Sequence, residues 1–166
     1  TLHVHAGEAM AILAGDAMMA LAFELLAERS ATPQLGAALV RELSLATTGM
    51  IAGQVYDTLG GFPPGLSDPQ KLELIHANKT GALIRASLRA GALLAGAPAA
   101  RVHALDAYGA EIGIAFQIAD DVLDIVGDKA LLGKRGSDRD NNKLTFPAVY
   151  GLEESRRRGR DAVARA

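Results

Sequence analysis

Phe116-Gln117-Ile118-Ala119-Asp120-Asp121-Val122-Leu123-Asp124 is the stretch that says most about this chain, because it places three carboxylates within five positions of an apolar run. If the segment is helical, its polar side chains share one arc, namely Gln117, Asp120, Asp121 and Asp124. Carboxylates one turn apart repel each other by ~3 kcal/mol at ~6 Å and an effective dielectric of ~20. No Lys or Arg stands one turn away to relieve that repulsion. A divalent cation is therefore the natural partner.

An ordinary surface helix with a wet aspartate face is the competing interpretation, and periodicity alone does not choose between the two. Two observations favour the metal. The helical pattern around the segment has few other polar residues between Val102 and Val126, which indicates burial, and buried carboxylates need partners. Basic residues also follow directly, between Lys134 and Lys143.

The composition indicates an all-α protein. Of 166 residues, 49% are hydrophobic and only 4% aromatic, with Ala and Leu dominant and few β-branched runs. This length suits one domain, so we expect a single domain over residues 1–166. A net charge of −2 gives no global argument for binding nucleic acid or an anionic membrane. The absence of cysteine excludes disulfides, thiolate zinc sites and cysteine nucleophiles.

Four long helical patterns are separated by Gly, Pro and Ser punctuation. They cover residues 5–28, 34–59, 67–96 and 98–127. The third begins at an expected capping box, Ser67 with Gln70, and we expect a kink near residues 79–81. Gly49 and Gly53 are spaced to let another helix approach the second closely. A long polar loop over residues 128–144, a short apolar element over 145–152 and a charged terminal helix over 153–166 complete the pattern.

The apolar run at residues 9–26 contains Asp16 and Glu24, so we expect a buried core helix and no membrane span. We find no signal peptide and expect a cytoplasmic protein. The chain starts at Thr1 without an initiator Met, already entering a helix. We therefore expect it to be part of a longer protein.

Carboxylates that bind Mg²⁺ usually leave other coordination positions to water and substrate phosphate, which nearby lysines can neutralise. Lys134 and Lys143 are candidates, although each taken singly is more often a solvated loop residue. Lys79, beside the Thr80 hydroxyl, is either a snorkelling lysine or a phosphate-binding charge facing the acidic helix. Gln54, with Asp57 about one turn later, is weak support because polar residues are common at helix ends.

Other signals carry less weight. Residues 127–134 only superficially resemble a phosphate-binding P-loop, because Arg135 replaces the expected Ser or Thr and a helix precedes the segment. His3 and His5 have no third ligand in view. His76 and His103 are isolated in the sequence.

Taken together, these residues resemble the C-terminal half of a trans-isoprenyl diphosphate synthase, the family of farnesyl and geranylgeranyl diphosphate synthases. The acidic stretch resembles that family's second aspartate-rich motif, Phe-Gln-x-x-Asp-Asp-x-x-Asp. Further blocks match in order, namely Thr1-Leu2-His3 with Gly7-Glu8, Ala11-Ile12-Leu13-Ala14-Gly15-Asp16, Gly53-Gln54 with Asp57, Lys79-Thr80-Gly81-Ala82-Leu83-Ile84, Leu132-Gly133-Lys134, Gly136-Ser137-Asp138, and Asn142-Lys143 followed by Phe146-Pro147.

The resemblance implies an all-α, isoprenoid synthase-type bundle of long helices around a central cavity, with the N-terminal helices missing. It implies a homodimeric prenyltransferase that condenses isopentenyl diphosphate with an allylic diphosphate and uses Mg²⁺, with Mn²⁺ as an alternative. By motif match Asp120 and Asp124 would ligate the metal, with Asp121 assisting. The allylic diphosphate would be held by Lys79, Lys134 and Lys143. The developing cation would be faced by Gln117, Gln54 and the Thr80 region.

The family's first aspartate-rich motif and its Arg-rich isopentenyl diphosphate site lie upstream of the matching blocks and are not in these residues. We therefore expect about half of the metal site here, and a chain that is not competent alone. A regulatory subunit without turnover is the alternative, although it would not need the second motif and all three lysines. A head-to-head condensing enzyme of the squalene or phytoene synthase type and a helical interaction module without a site match the residues less well.

Overall fold

The computed structural model describes residues 2–127 and 143–166. Within these residues the secondary structure is entirely helical, as the composition predicts. We number the helices α1 (Leu2–Ala6), α2 (Glu8–Glu28), α3 (Pro33–Leu59), α4 (Asp68–His76), α5 (Ala82–Leu94), α6 (Ala99–Val126), α7 (Phe146–Tyr150) and α8 (Leu152–Arg165). Between α4 and α5, a π-helical segment spans Ala77–Gly81.

The helix boundaries follow local signals. The predicted capping box forms at the start of α4, where the Gln70 side chain accepts a hydrogen bond from the Ser67 backbone N–H over 2.9 Å. Pro98 precedes α6 and Gly127 follows it. The first pattern is interrupted at Gly7, whose φ of 84° is a conformation that favours glycine, so α1 and α2 are separate helices. A π-helical segment over Ala77–Gly81 lies where the kink near residues 79–81 is expected.

The chain divides into two compact units, Thr1–Ser44 and Leu45–Ala166. The expected single domain over residues 1–166 stays a prediction. The predicted loop over 128–144 lies largely outside the described residues, and Lys134 is within that part.

The first unit differs from the sequence-based expectation of a buried core helix. No residue of α2 is buried, and Ile12, Leu13 and Met18 are 66%, 61% and 73% exposed. Their side chains lie all round the helix, so one neighbouring surface cannot cover them together. By length and composition α2 and α3 could each cross a membrane, a property that core helices of soluble proteins share.

The second unit contains an apolar core made by Leu72 of α4, Ile118 of α6 and Phe146 of α7. Partly buried apolar side chains of the neighbouring segments pack around it, namely Ile114, Val122, Leu144, Val149 and Tyr150. Helix α6 passes between α5 and α8 and contacts both. This position brings the acidic stretch of α6 next to the π-helical segment and α7.

Candidate active site

The acidic stretch lies on α6, and two of its three carboxylates are buried. Asp121 and Asp124 are 3% and 8% exposed, whereas Phe116 is 60% and Ile125 is 55% exposed. The prediction that α6 is largely buried is therefore correct for these carboxylates and wrong for much of its apolar side. Buried carboxylates require hydrogen bonds or cations.

Asp121 accepts hydrogen bonds from its own helix and from the start of α7. Its Oδ1 accepts from Nε2 of Gln117 over 2.9 Å, one turn earlier on the same helix. Its Oδ2 accepts from the backbone N–H of Phe146 over 2.8 Å, at the first residue of α7. A carboxyl oxygen at a helix N-terminus satisfies a backbone donor that has no partner within the helix. Asp121 thus joins α6 to the segment that begins with Lys143.

The π-helical segment lies between α3 and α6 and contributes Lys79 and Thr80. Consecutive side chains of a helix point in different directions, so these two neighbours reach different helices. Thr80 Oγ1 donates to Oε1 of Gln117 on α6 over 2.9 Å. Lys79 Nζ donates to Oδ2 of Asp57 on α3 over 2.6 Å. A π turn is frequent at functional sites because it re-aims side chains within a helix.

Two glycines allow this close approach. A Cβ on Gly53 would lie 2.7 Å from Cα of Lys79, and one on Gly113 would lie 3.1 Å from Cα of Gly81. Both distances are too short for an ordinary contact, so helices α3 and α6 reach the backbone of the π-helical segment only because these positions lack side chains. The predicted role of Gly53 in close packing is confirmed, and that of Gly113 was missed.

Asp57 connects the lysines. Its Oδ2 also accepts from Nζ of Lys143 over 3.0 Å, so two ammonium groups share one oxygen. Burial raises the pKa of Asp57, but the hydrogen bonds and charges of Lys79 and Lys143 outweigh it and hold that pKa below its ordinary value. The carboxylate is therefore ionised at neutral pH.

The structure thus brings together most of the predicted site residues in the second unit. Thr80, Gln117 and Asp121 form one hydrogen-bonded chain, and Lys79 meets Lys143 at Asp57. Gln54 is exposed and donates to Thr58 Oγ1 on its own helix, and in the described part of the chain no hydrogen bond joins it to another predicted site residue. Lys134 lies outside the described residues.

The metal ligands at Asp120, Asp121 and Asp124 stay a prediction. In residues 2–127 and 143–166, no three His, Asp or Glu side chains form a group that could hold a metal ion. At α6 both carboxylate oxygens of Asp121 accept hydrogen bonds, from Gln117 and from Phe146. Asp120 and Asp124 remain one turn apart on α6, and their oxygens suit Mg²⁺, which usually takes only one or two protein carboxylates.

His76 is the polar group that sequence reasoning overlooked. It is 5% exposed at the end of α4, its ring stacks on Phe146 with centroids 5.3 Å apart, and its Nε2 lies 3.9 Å from Oδ2 of Asp121. Neither ring nitrogen makes a hydrogen bond within the described parts of the chain. Burial lowers the pKa of His76 to about 4. A neutral imidazole therefore packs behind the Asp121 carboxylate.

A cavity of about 490 Å³ opens on the α8 side of His76. Its wall includes Arg157, Arg158 and Arg165, and each guanidinium is already hydrogen-bonded to a Glu or Asp. Lys79, Lys143, Asp57 and Asp120 do not line it. The cavity is therefore distinct from the cluster of predicted site residues.

Comparison with known proteins identifies the family. Residues 1–165 match the family model for polyprenyl synthetase. The chain belongs to the polyprenyl synthetase family. It is 46% identical to farnesyl diphosphate synthase of Escherichia coli, covering 98% of this chain and 56% of that protein. It is 42% identical to geranylgeranyl diphosphate synthase of Cyanophora paradoxa, covering 93% of this chain and 53% of that protein.

Solved structures of this polyprenyl synthetase family agree in fold. The geranyltransferase of Helicobacter pylori, complexed with magnesium and isoprenyl diphosphate, superimposes with a TM-score of 0.82 at 32% identity, covering 98% of this chain and 54% of that one. The all-α, isoprenoid synthase-type fold is therefore confirmed, as is the resemblance to short-chain prenyl diphosphate synthases. The chain spans about half the length of the curated relatives it matches.

Proposed function

We propose that the protein containing this chain is a prenyltransferase that condenses isopentenyl diphosphate with an allylic diphosphate to a short-chain prenyl diphosphate. This chain would supply the second aspartate-rich motif. The observation that carries the proposal is the convergence of Lys79 and Lys143 on Asp57, beside the chain of hydrogen bonds from Thr80 through Gln117 to Asp121. This arrangement places two ammonium groups that can bind a diphosphate next to the oriented dipoles of the Gln117 amide and the Thr80 hydroxyl.

In the proposed reaction the allylic C–O bond breaks, and the bonding electrons leave with the diphosphate. The double bond of isopentenyl diphosphate attacks the allylic cation, a C–C bond forms and a proton is lost. Mg²⁺, when bound, would neutralise the leaving diphosphate. Lys79 and Lys143 would bind its remaining oxygens, as would Lys134 by motif match.

Thr80 and Gln117 would face the developing cation. The Gln117 amide is fixed at both ends, since its Oε1 accepts from Thr80 and its Nε2 donates to Asp121. Fixed dipoles need no reorganisation when charge develops, which is the main electrostatic advantage of a preorganised site. Gln54 remains a candidate by motif match alone.

The assignment of metal ligands follows the same contacts. Asp120 and Asp124 would hold Mg²⁺, or Mn²⁺ as the alternative, while Asp121 assists by holding Gln117 and the start of α7 in place. The homologue of Helicobacter pylori, solved with magnesium, supports a metal at this fold. A homodimer and a cytoplasmic location are proposals that rest on the family alone.

The test uses the full-length protein with isopentenyl diphosphate, an allylic diphosphate and Mg²⁺. We expect Asp120→Ala to lower condensation by at least about 100-fold while the circular dichroism spectrum is retained. The matched control is Asp161→Ala, which removes an exposed carboxylate of α8 bound to Arg157 and should leave turnover near wild type. Unchanged turnover in Asp120→Ala would reject the metal assignment. A wild-type protein that elongates nothing but alters a partner synthase would indicate the regulatory subunit.

A further inference from the structure

Asp57 occupies an unusual position in the cluster of predicted site residues. Its side chain is 7% exposed, whereas Lys79 and Lys143, whose ammonium groups it binds, are 32% and 33% exposed. The carboxylate is thus the buried end of the group, and the ammonium groups are its accessible end. A ligand arriving from solvent would reach the lysines before it reached Asp57.

The three partners come from distant parts of the chain. Lys79 lies 22 residues from Asp57 and Lys143 lies 86 residues from it. Gly53, one turn before Asp57 on the same face of α3, admits the backbone of Lys79 and so places that lysine within reach. Through its ion pairs, Asp57 therefore joins α3 to the π-helical segment and to the residues before α7.

The geometry suits a diphosphate better than a simple ion pair. Because both Nζ atoms bond to the same Oδ2, they lie within about 6 Å of each other, a spacing that one diphosphate group can bridge. Each ammonium has three N–H donors, of which Asp57 takes one. Two lysines and one carboxylate also leave one unit of positive charge to attract an anion.

We propose that Asp57 is a positioning residue for the diphosphate: it holds the ammonium groups of Lys79 and Lys143 together before the substrate binds. This inference rests on the proposed function, since it assigns the two lysines to the allylic diphosphate. In this role Asp57 would contact the two lysines and not the reacting atoms. Without its charge the two cations repel each other and separate. The entropic cost of ordering two long side chains then reduces the net binding free energy of the substrate.

A purely structural ion pair is the alternative, and the chain offers a matched control for it. Asp106 of α6 also lies between two cations, with Arg85 at 2.6 Å and Arg89 at 3.7 Å. Within the described ranges, it forms no hydrogen bond or ion pair with a predicted site residue. Asp57→Asn and Asp106→Asn therefore each remove one carboxylate charge from a pair of cations. A general loss of stability should appear in both variants.

The experiment measures the Kd of inorganic diphosphate with Mg²⁺, and the KM of each substrate, for the full-length protein. We expect Asp57→Asn to weaken diphosphate binding and raise the KM of the allylic diphosphate by about tenfold, with the KM of isopentenyl diphosphate changed less than about twofold. Asp57→Glu, which keeps the charge, should recover part of the loss. Asp106→Asn should leave all three constants near wild type.

A double-mutant cycle separates action through the lysines from a direct effect. In a Lys143→Met background, one of the two cations that Asp57 positions is gone. The change in the logarithm of the diphosphate Kd caused by Asp57→Asn should therefore be less than half of the change that it causes in the wild type. Equal effects in both backgrounds would overturn the inference, as would an unchanged Kd in Asp57→Asn. If the protein condenses its substrates and the Asp57→Asn variant does so with unchanged constants, the positioning role of Asp57 is wrong and the proposed reaction stands. If diphosphate binding weakens in Asp57→Asn but the wild-type protein condenses no substrate, the proposed reaction is wrong and the positioning role stands.

Discussion

The backbone N–H of Phe146 donates to Oδ2 of Asp121 over 2.8 Å, which ties the first residue of α7 to the acidic stretch of α6. The contact spans 25 residues of sequence and is buried. Lys143 lies three residues before Phe146, so this single hydrogen bond also fixes where the chain delivers that lysine. A residue of the aspartate-rich stretch therefore organises the diphosphate side of the proposed site.

Asp121→Ala should consequently act on stability more than Asp120→Ala does. Removing the buried carboxylate leaves the Phe146 N–H and the Gln117 amide without their acceptor, which we expect to lower the free energy of unfolding by about 2–3 kcal/mol. Asp120 is only partly buried, so its replacement should lower stability by less than half of that. Urea denaturation of the full-length variants measures both values. Equal losses would mean that Asp121 does not have this anchoring role.

Gly53→Ala should disrupt the approach of α3 to the π-helical segment. The new methyl group would overlap the backbone nitrogen of Lys79 and lie 2.7 Å from its Cα, and backbone cannot rotate away as a side chain can. We expect the free energy of unfolding to fall by about 1–3 kcal/mol. Condensation should fall as well, because Lys79 is displaced from Asp57.

Gly91→Ala is the matched control for that substitution. Gly91 is exposed within α5, and a Cβ there meets nothing within 4 Å. Alanine is the better helix former, so this variant should be more stable than wild type by about 0.5–1 kcal/mol. If urea denaturation gives the same free energy of unfolding for Gly53→Ala and Gly91→Ala, the close approach of α3 to the π-helical segment does not require glycine at position 53.

The sequence predicts the helices well because their signals are local. The Ser67 and Gln70 capping box, Pro98 before α6 and Gly127 after it each act within a few residues, and each is found in the structure. Exposure is harder to predict. The apolar run at residues 9–26 was expected to be buried, but burial depends on neighbouring surfaces that periodicity does not describe.

The site was predicted residue by residue, but its connections were not. Lys79, Gln117 and Lys143 were singled out by residue type and family motif. Their hydrogen bonds to Asp57 and Thr80 span 22 to 86 residues of sequence and depend on the fold. Asp57 looked like an ordinary polar residue near a helix end. The available signal was the position of Asp57 one turn after Gly53. A glycine lets a neighbouring backbone approach the helix closely, and a side chain one turn later on the same face can then reach that neighbour.

His76 should make stability depend on pH in a defined window. In the folded protein burial lowers the pKa of His76 to about 4, whereas the ordinary value of 6.5 applies when the chain is unfolded. Protons therefore bind preferentially to the unfolded chain, and the folded state loses stability as the pH falls from 6.5 towards 4. Between pH 7.5 and pH 5 we expect this residue to lower the free energy of unfolding by about 2 kcal/mol.

The measurement is urea denaturation at both pH values for wild type and for His76→Gln and His76→Phe, which do not titrate in this range. Comparing the difference between the two pH values, and not the absolute stability, removes the packing effect of each substitution. The exposed His103 supplies the control, since His103→Gln should keep the full wild-type difference. The opposite result, a wild-type pH difference in both His76 variants, would mean that this imidazole is protonated as readily in the folded protein as in the unfolded chain. The packing of a neutral ring between Phe146 and Asp121 would then be wrong.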